Sequence, residues 1–186
     1  GSKQQVANAV TLYYAVQNKQ IQLLHFKAES KIIWIPTENE LDQLISGWRH
    51  QLATFLQTLK KTAGPCGEIY QAEWKDLDTV NKTFLINHPE KNSNPRAVSI
   101  SDKLIQMLNT LPKQSDRIFN YKNKDILRKS YQRARKCIAT NLQNPRLKQI
   151  RMHTFRHWRA QKELNKTINV LAVMRLLGHK NQQCTT

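Results

Sequence analysis

The stretch that most constrains this chain is Thr37-Glu38-Asn39-Glu40, together with the apolar run behind it. A threonine with a glutamate three places on marks a capped helix start: the hydroxyl takes the backbone N–H of Glu40, and the Glu40 carboxylate reaches back. Apolar residues then recur at helical spacing (Leu41, Leu44, Ile45, Trp48, Leu52, Phe55, Leu56, Leu59), which predicts one long helix to about Thr62 with a single buried stripe. Ala63-Gly64-Pro65-Cys66-Gly67-Glu68 breaks it, since Gly64 suits a helix end and Pro65 forbids continuation.

The flanking segments complete the architecture. A short helix is predicted over 68–71, then strands over 73–78, 83–88 and 96–100, the last two joined by the turn-forming loop HPEKNSNP. Ser101 is placed to cap a helix over 101–111, and 122–141 reads as helical and basic. Residues 154–164 and 167–178 predict two further helices. The last of these, TINVLAVMRLLG, is apolar on nearly every face, so it reads as a buried core helix ended by Gly178. Upstream, KIIWIP (31–36) is a short β-like run, and 4–24 predicts a helix with Val6, Val10, Tyr13 and Tyr14 at helical spacing. Gly1-Ser2 reads as an expression scar, 3–30 as the last helix and linker of a preceding domain, and 31–186 as one domain. The expected class is α+β, mainly helical, with a small three-stranded antiparallel sheet at one edge.

Charge narrows the partners. With 30 Lys and Arg against 13 Asp and Glu, the 186-residue chain carries +17, an excess that speaks to what it binds rather than how it folds. Nucleic acid is the leading partner and an anionic membrane surface the second; no apolar run is long enough to span a bilayer. The basic residues are densest between Arg117 and Arg159 and include KNKDILRKSYQRARK, a face suited to tracking phosphates. The 3 cysteines, Cys66, Cys137 and Cys184, have no metal-ligand spacing and fit reduced thiols in a cytoplasmic or nucleoid protein.

Four local features could carry chemistry. His153-Thr-Phe-Arg156 puts an imidazole and a guanidinium on one helical face, able to address one phosphate, while Phe155 and Trp158 turn to the core. Leu176-Leu177-Gly178-His179 holds a histidine just past a helix on a glycine turn. Lys91 lies in the loop between the second and third strands, within reach of a backbone phosphate as a general acid. Residues 62–78 lead from a helix end through Gly67-Glu68 into the first strand. Each also has an ordinary structural reading taken singly. A His153–His157 metal pair, with Cys184 as a distant third ligand, is disfavoured because no glutamate follows His153.

In this order and at these separations the four features resemble the catalytic domain of the tyrosine recombinases, or phage-type integrases, over residues 31–186; MRLLGHKN has the look of integrases from archaea and their mobile elements. The resemblance implies site-specific DNA cleavage and rejoining: a tyrosine attacks a phosphodiester, a 3′-phosphotyrosyl bond forms, and a 5′-hydroxyl leaves, with no metal or nucleotide cofactor. It implies double-stranded DNA as partner, a tetrameric synapse for the full-length protein, a monomer for this chain, and no membrane. By the same resemblance, Arg156 is the second arginine, His153 the partner in its box, Lys91 the proton donor to the leaving oxygen, His179 the late orienting histidine, and Glu68 the acidic residue that buttresses the site.

Two positions depart from the pattern. Aligning Gly67-Glu68 with the family's turn puts Pro65 where its first arginine belongs, and Arg49 is a poor substitute on spacing. Losing one such clamp is worth about 3 kcal/mol in a transition state. The family's nucleophile would fall near position 188, and Tyr13, Tyr14, Tyr70, Tyr121 and Tyr131 all precede the histidine–arginine box. The expectation is a recombinase catalytic domain without its tyrosine, inactive alone. The alternative is a decayed recombinase that keeps the fold as a DNA-binding or regulatory protein.

Overall fold

The computed structural model describes residues 3–17, 34–90 and 93–178. It divides into two compact units, Gly1–Trp34 and Ile35–Thr186. The first carries helix α1 (Lys3–Val16). On it Tyr13 and Tyr14 meet edge to face with ring centroids 5.4 Å apart, and Val6, Leu12, Tyr13 and Val16 are exposed. The rest of the helix expected over 4–24 lies outside the described residues, as do 31–33 of the β-like run; Trp34 to Pro36 is not a strand.

In the second unit the capping box forms as its sequence requires. Thr37 N–H donates to Glu40 Oε2 at 2.8 Å, and Glu40 N–H donates to the Thr37 hydroxyl at 3.3 Å. The single long helix does not form: α2 (Glu38–Ser46) closes on Gly47, and α3 (His50–Thr62) restarts after Arg49. The reason is tertiary. A Cβ on Gly47 would sit 2.9 Å from Ile138 Cδ1, so a neighbouring helix presses on the backbone there. Trp48 falls in the break, half-buried rather than on the stripe.

Helix α3 is the central rod. Leu52, Phe55, Leu56 and Leu59 are 2% exposed or less, and Phe55 stacks edge to face on Phe119 at 4.9 Å. Helix α4 (Cys66–Gln71) comes after the glycine–proline turn. The first expected strand is mostly a 3-10 turn, Trp74–Asp76, with only β1 (Leu77–Asp78) extended. Buried Asp76 takes the Glu73 N–H at 2.9 Å and the Asn87 amide at 2.7 Å, which winds the chain where alternation alone predicts extension. Strands β2 (Thr83–Ile86) and β3 (Arg96–Ser99) complete an antiparallel sheet in the order β1-β2-β3, with Phe84 opposite Val98.

Helices α5 (Asp102–Asn109), α6 (Lys124–Asn141), α7 (Met152–Thr167) and α8 (Val170–Leu177) complete the unit. Ser101 occupies the cap position of α5, but its buried hydroxyl makes no cap bond; Asn123 caps α6 through the Ile126 N–H at 2.8 Å. On α6, Leu127, Tyr131, Ala134 and Ile138 face inward while Arg128, Lys129, Arg133 and Lys136 face solvent. Helix α8 is one-sided rather than buried all round. Val173 and Leu177 pack with Ala63 against Ala160 and Leu164, whereas Val170 and Leu171 are exposed. One flank is all that α3 and α7 cover. Among the described residues no helix is long and apolar enough to cross a membrane.

Candidate active site

The site grows from the turn between α3 and α4. Ala63 takes the left-handed conformation that ends α3 (φ 54°), which aims its carbonyl away from the helix. Pro65 precedes α4 with φ −56°, a position where a missing N–H costs nothing. It brings no donor to the place where the resemblance expects a guanidinium. Cys66 lies beside it with Sγ 3.3 Å from Met152 Sδ on α7, and burial pushes its thiol up to about 11.

Glu68, on the first turn of α4, has a fully buried side chain and works with both oxygens. Oε2 pairs with Arg96 Nη2 at 2.6 Å, and Oε1 accepts the Glu90 N–H at 3.1 Å. One carboxylate thus straps both sides of the β2–β3 loop. The resemblance makes Glu68 the acidic residue that buttresses the site; its charged partner here is Arg96 on β3. Glu90 also pairs with Lys124 Nζ at 3.0 Å, and its carboxylate sits against Gly67, so a side chain there would displace it.

Helix α7 opens with the Arg151 N–H on the Thr154 hydroxyl at 3.0 Å. Phe155 and Trp158 are buried, as their spacing predicts. His153 and Arg156 sit at different depths. His153 is exposed, its ring edge to face with His157 at 4.5 Å, while Arg156 is 8% exposed. Arg156 Nη1 donates to the Ala63 carbonyl and Nη2 to the Leu177 carbonyl, each at 2.8 Å. It therefore bolts the end of α3 to the end of α8. Burial first, and then the nearby Arg96 charge, lower its pKa to about 10, with Glu68 acting in the opposite sense. The guanidinium stays protonated at neutral pH. His157 is held below its usual value by burial and by Arg156.

Past Leu177, Gly178 adopts φ +72°. The Asn94 N–H donates to its carbonyl at 2.9 Å, so the β2–β3 loop and the end of α8 are joined directly. Lys91 and His179 lie outside the described residues; Glu90 and Ser93 are the described residues nearest to the first, and Gly178 to the second. The structure thus brings together Pro65, Glu68 and Arg156, with His153 on the outer turn of the same helix.

Arg96 is the residue that sequence reasoning missed. The signal was its parity: Arg96, Val98 and Ile100 share the inward face of β3, and a charge on a buried face needs a buried counter-charge. The tyrosines stand elsewhere. Tyr131 donates to the Ile150 carbonyl at 2.8 Å and Tyr70 to the Tyr121 carbonyl at 3.1 Å, while burial pushes Tyr121 up to about 12. Among the described residues no group of three His, Cys, Asp or Glu side chains is placed to hold a metal.

Comparisons with known proteins agree on one family. The model of the phage integrase family matches residues 36–186. The ICEBs1 integrase of Bacillus subtilis (strain 168) is 23% identical over an alignment 180 residues long that covers 82% of this chain and 48% of that protein; the chain spans about half the length of this curated relative. Among solved structures, the Tn1549 transposon integrase in complex with transposon right end DNA superposes with a TM-score of 0.78 at 15% identity, covering 100% of this chain and 74% of that one. XerA recombinase gives 0.68 at 16% identity over 96% and 67%, and the catalytic domain of bacteriophage HP1 integrase 0.61 at 21% identity over 81% and 83%. A mainly helical unit with a three-stranded edge sheet, matched in this way over most of its length, belongs to the phage integrase family and has the fold of a tyrosine recombinase catalytic domain.

Proposed function

We propose that this chain is the DNA-handling catalytic domain of a site-specific recombinase, acting on double-stranded DNA through a 3′-phosphotyrosyl intermediate. The observation that carries the reading is Arg156: a buried, protonated guanidinium held between the turn that bears Pro65 and the turn that bears Gly178. A phosphorane gathers negative charge on its non-bridging oxygens, and a preset cation in a dry site stabilises that charge best. In this reading Arg156 holds the phosphate, His153 donates a hydrogen bond from the outer turn, Lys91 protonates the leaving 5′-oxygen, and His179 orients the phosphate. Glu68 fixes the loop that Lys91 belongs to. Arg128, Lys129, Arg133 and Lys136 on the open face of α6 track the backbone.

Pro65 favours a second reading, a DNA-binding or regulatory protein that keeps the fold with weakened chemistry. One experiment addresses both. Duplex affinity is measured by fluorescence anisotropy from low to moderate salt, and cleavage is assayed with Pro65 and with Pro65→Arg, the tyrosine segment supplied on a longer chain. The expected affinity falls steeply with salt. A recombinase gains cleavage about a hundredfold on restoring the arginine. A salt-independent affinity sinks the DNA reading, and cleavage that stays absent with the arginine restored leaves the regulatory one.

A further inference from the structure

We propose that Arg96 is a second phosphate-holding guanidinium of this site, working beside Arg156 and supplying positive charge where Pro65 has none. The assignment rests on the reading of the site as a phosphodiester pocket.

Two guanidiniums clasp one turn. Arg156 Nη2 donates to the Leu177 carbonyl, and Arg96 Nη1 lies against the next residue, where a Cβ on Gly178 would come within 2.8 Å of it. Glycine with φ +72° is what lets the turn pass this close. Arg96 is far from saturated. Its side chain is 6% exposed; among the described residues it makes a short bond to Glu68 and a long one, 3.4 Å, to the Asn94 carbonyl, and its buried Nε has no hydrogen-bond partner. A guanidinium offers a fork of five N–H donors. Leaving a buried donor unused is unfavourable unless a ligand takes it, and a phosphate takes such a fork two oxygens at a time.

The charges lie close together. Glu68 pairs with Arg96 at 2.6 Å and acts on the Arg156 guanidinium in the opposite sense to Arg96. A phosphodiester brings one negative charge to them. After burial, the neighbouring Arg96 charge is what lowers the Arg156 pKa, as two guanidiniums on one turn should.

The test tracks the side-chain 15N–1H resonances of Arg96 and Arg156 while inorganic phosphate is titrated into the full chain, with duplex DNA binding measured in parallel. Both arginines are expected to shift with one dissociation constant. Arg96→Gln alone strands the Glu68 carboxylate and can unfold the chain, so the decisive variant is Glu68→Gln with Arg96→Gln, which removes the pair together. If Arg96 holds phosphate, this double variant melts near the parent but binds phosphate about tenfold more weakly. Recovery of parental phosphate affinity makes Arg96 a counter-ion and overturns the proposal, as do arginine resonances that ignore phosphate. Absence of duplex binding in the parent chain would instead fell the reading on which the assignment rests.

Discussion

Two buried cations, Lys60 and Arg156, divide the molecule between them. Lys60 is 3% exposed and reaches from α3 to two carboxylates of α2, Glu38 at 3.0 Å and Asp42 at 2.6 Å, with the Trp158 ring of α7 5.1 Å away. Arg156 is buried almost as deeply but donates to neutral carbonyls, while the nearest buried carboxylate spends its short bond on Arg96. The first cation is paired with carboxylates and ties three helices. The second is fixed on backbone carbonyls, and its charge helps to depress His157. On the proposed reading of the site, burial alone does not separate a structural ion from a working one; the partner does.

The largest effect belongs to Arg156. Arg156→Met should weaken duplex binding at the pocket by about a hundredfold, and it should also destabilise the fold by about 2 kcal/mol because two buried carbonyls lose their donor. Anisotropy and urea unfolding read the two losses separately. A variant that lost stability but kept DNA affinity would place Arg156 with Lys60.

Gly178→Ala should be nearly as harmful to the site. A side chain at φ +72° is strained by about 1–2 kcal/mol, and its Cβ would meet Arg96 Nη1 at 2.8 Å and the Asn94 carbonyl oxygen at 3.0 Å. Thermal melting gives the strain, and phosphate affinity shows whether the turn still presents both guanidiniums. Lys60→Met should destabilise by about 1–2 kcal/mol, less than for a fully buried pair because Glu38 and Asp42 are half in solvent. Its duplex affinity should stay at the parental value, and a drop in affinity without a drop in melting temperature would break the contrast.

The smallest effect is a titration. His157 has its pKa depressed in the folded chain, so its contribution to stability is present above the usual 6.5 and is lost as pH falls through the folded value. In Arg156→Met the imidazole should titrate closer to its usual value, since one of the two causes of the depression is gone. Histidine NMR against pH measures this, and an unchanged titration would mean that burial alone sets it.

How far the sequence foretold this depends on the range of the interaction involved. The Thr37–Glu40 box, the Gly178 helix end, the strand pairing and the inward Phe155 and Trp158 are local or periodic, and they were legible. The Gly47 break was not, and the Ile138 side chain that packs against it is remote along the chain. Asp76 winding the first strand into a turn depends on Asn87 for the same reason. In the site, the resemblance singled out Glu68 and Arg156 but not the groups they bond to. Arg96, Ala63 and Leu177 meet them only after folding, and only the inward parity of Arg96 on β3 was there to be read.

The most direct measurement is a crystal structure of the chain bound to duplex DNA. The account predicts one backbone phosphate within hydrogen-bonding distance, about 3 Å, of the Arg156 guanidinium, with His153 facing the same phosphate and the open face of α6 lying along the duplex. DNA bound along α6 with Arg156 still closed on Ala63 and Leu177 and no phosphate beside it would contradict it.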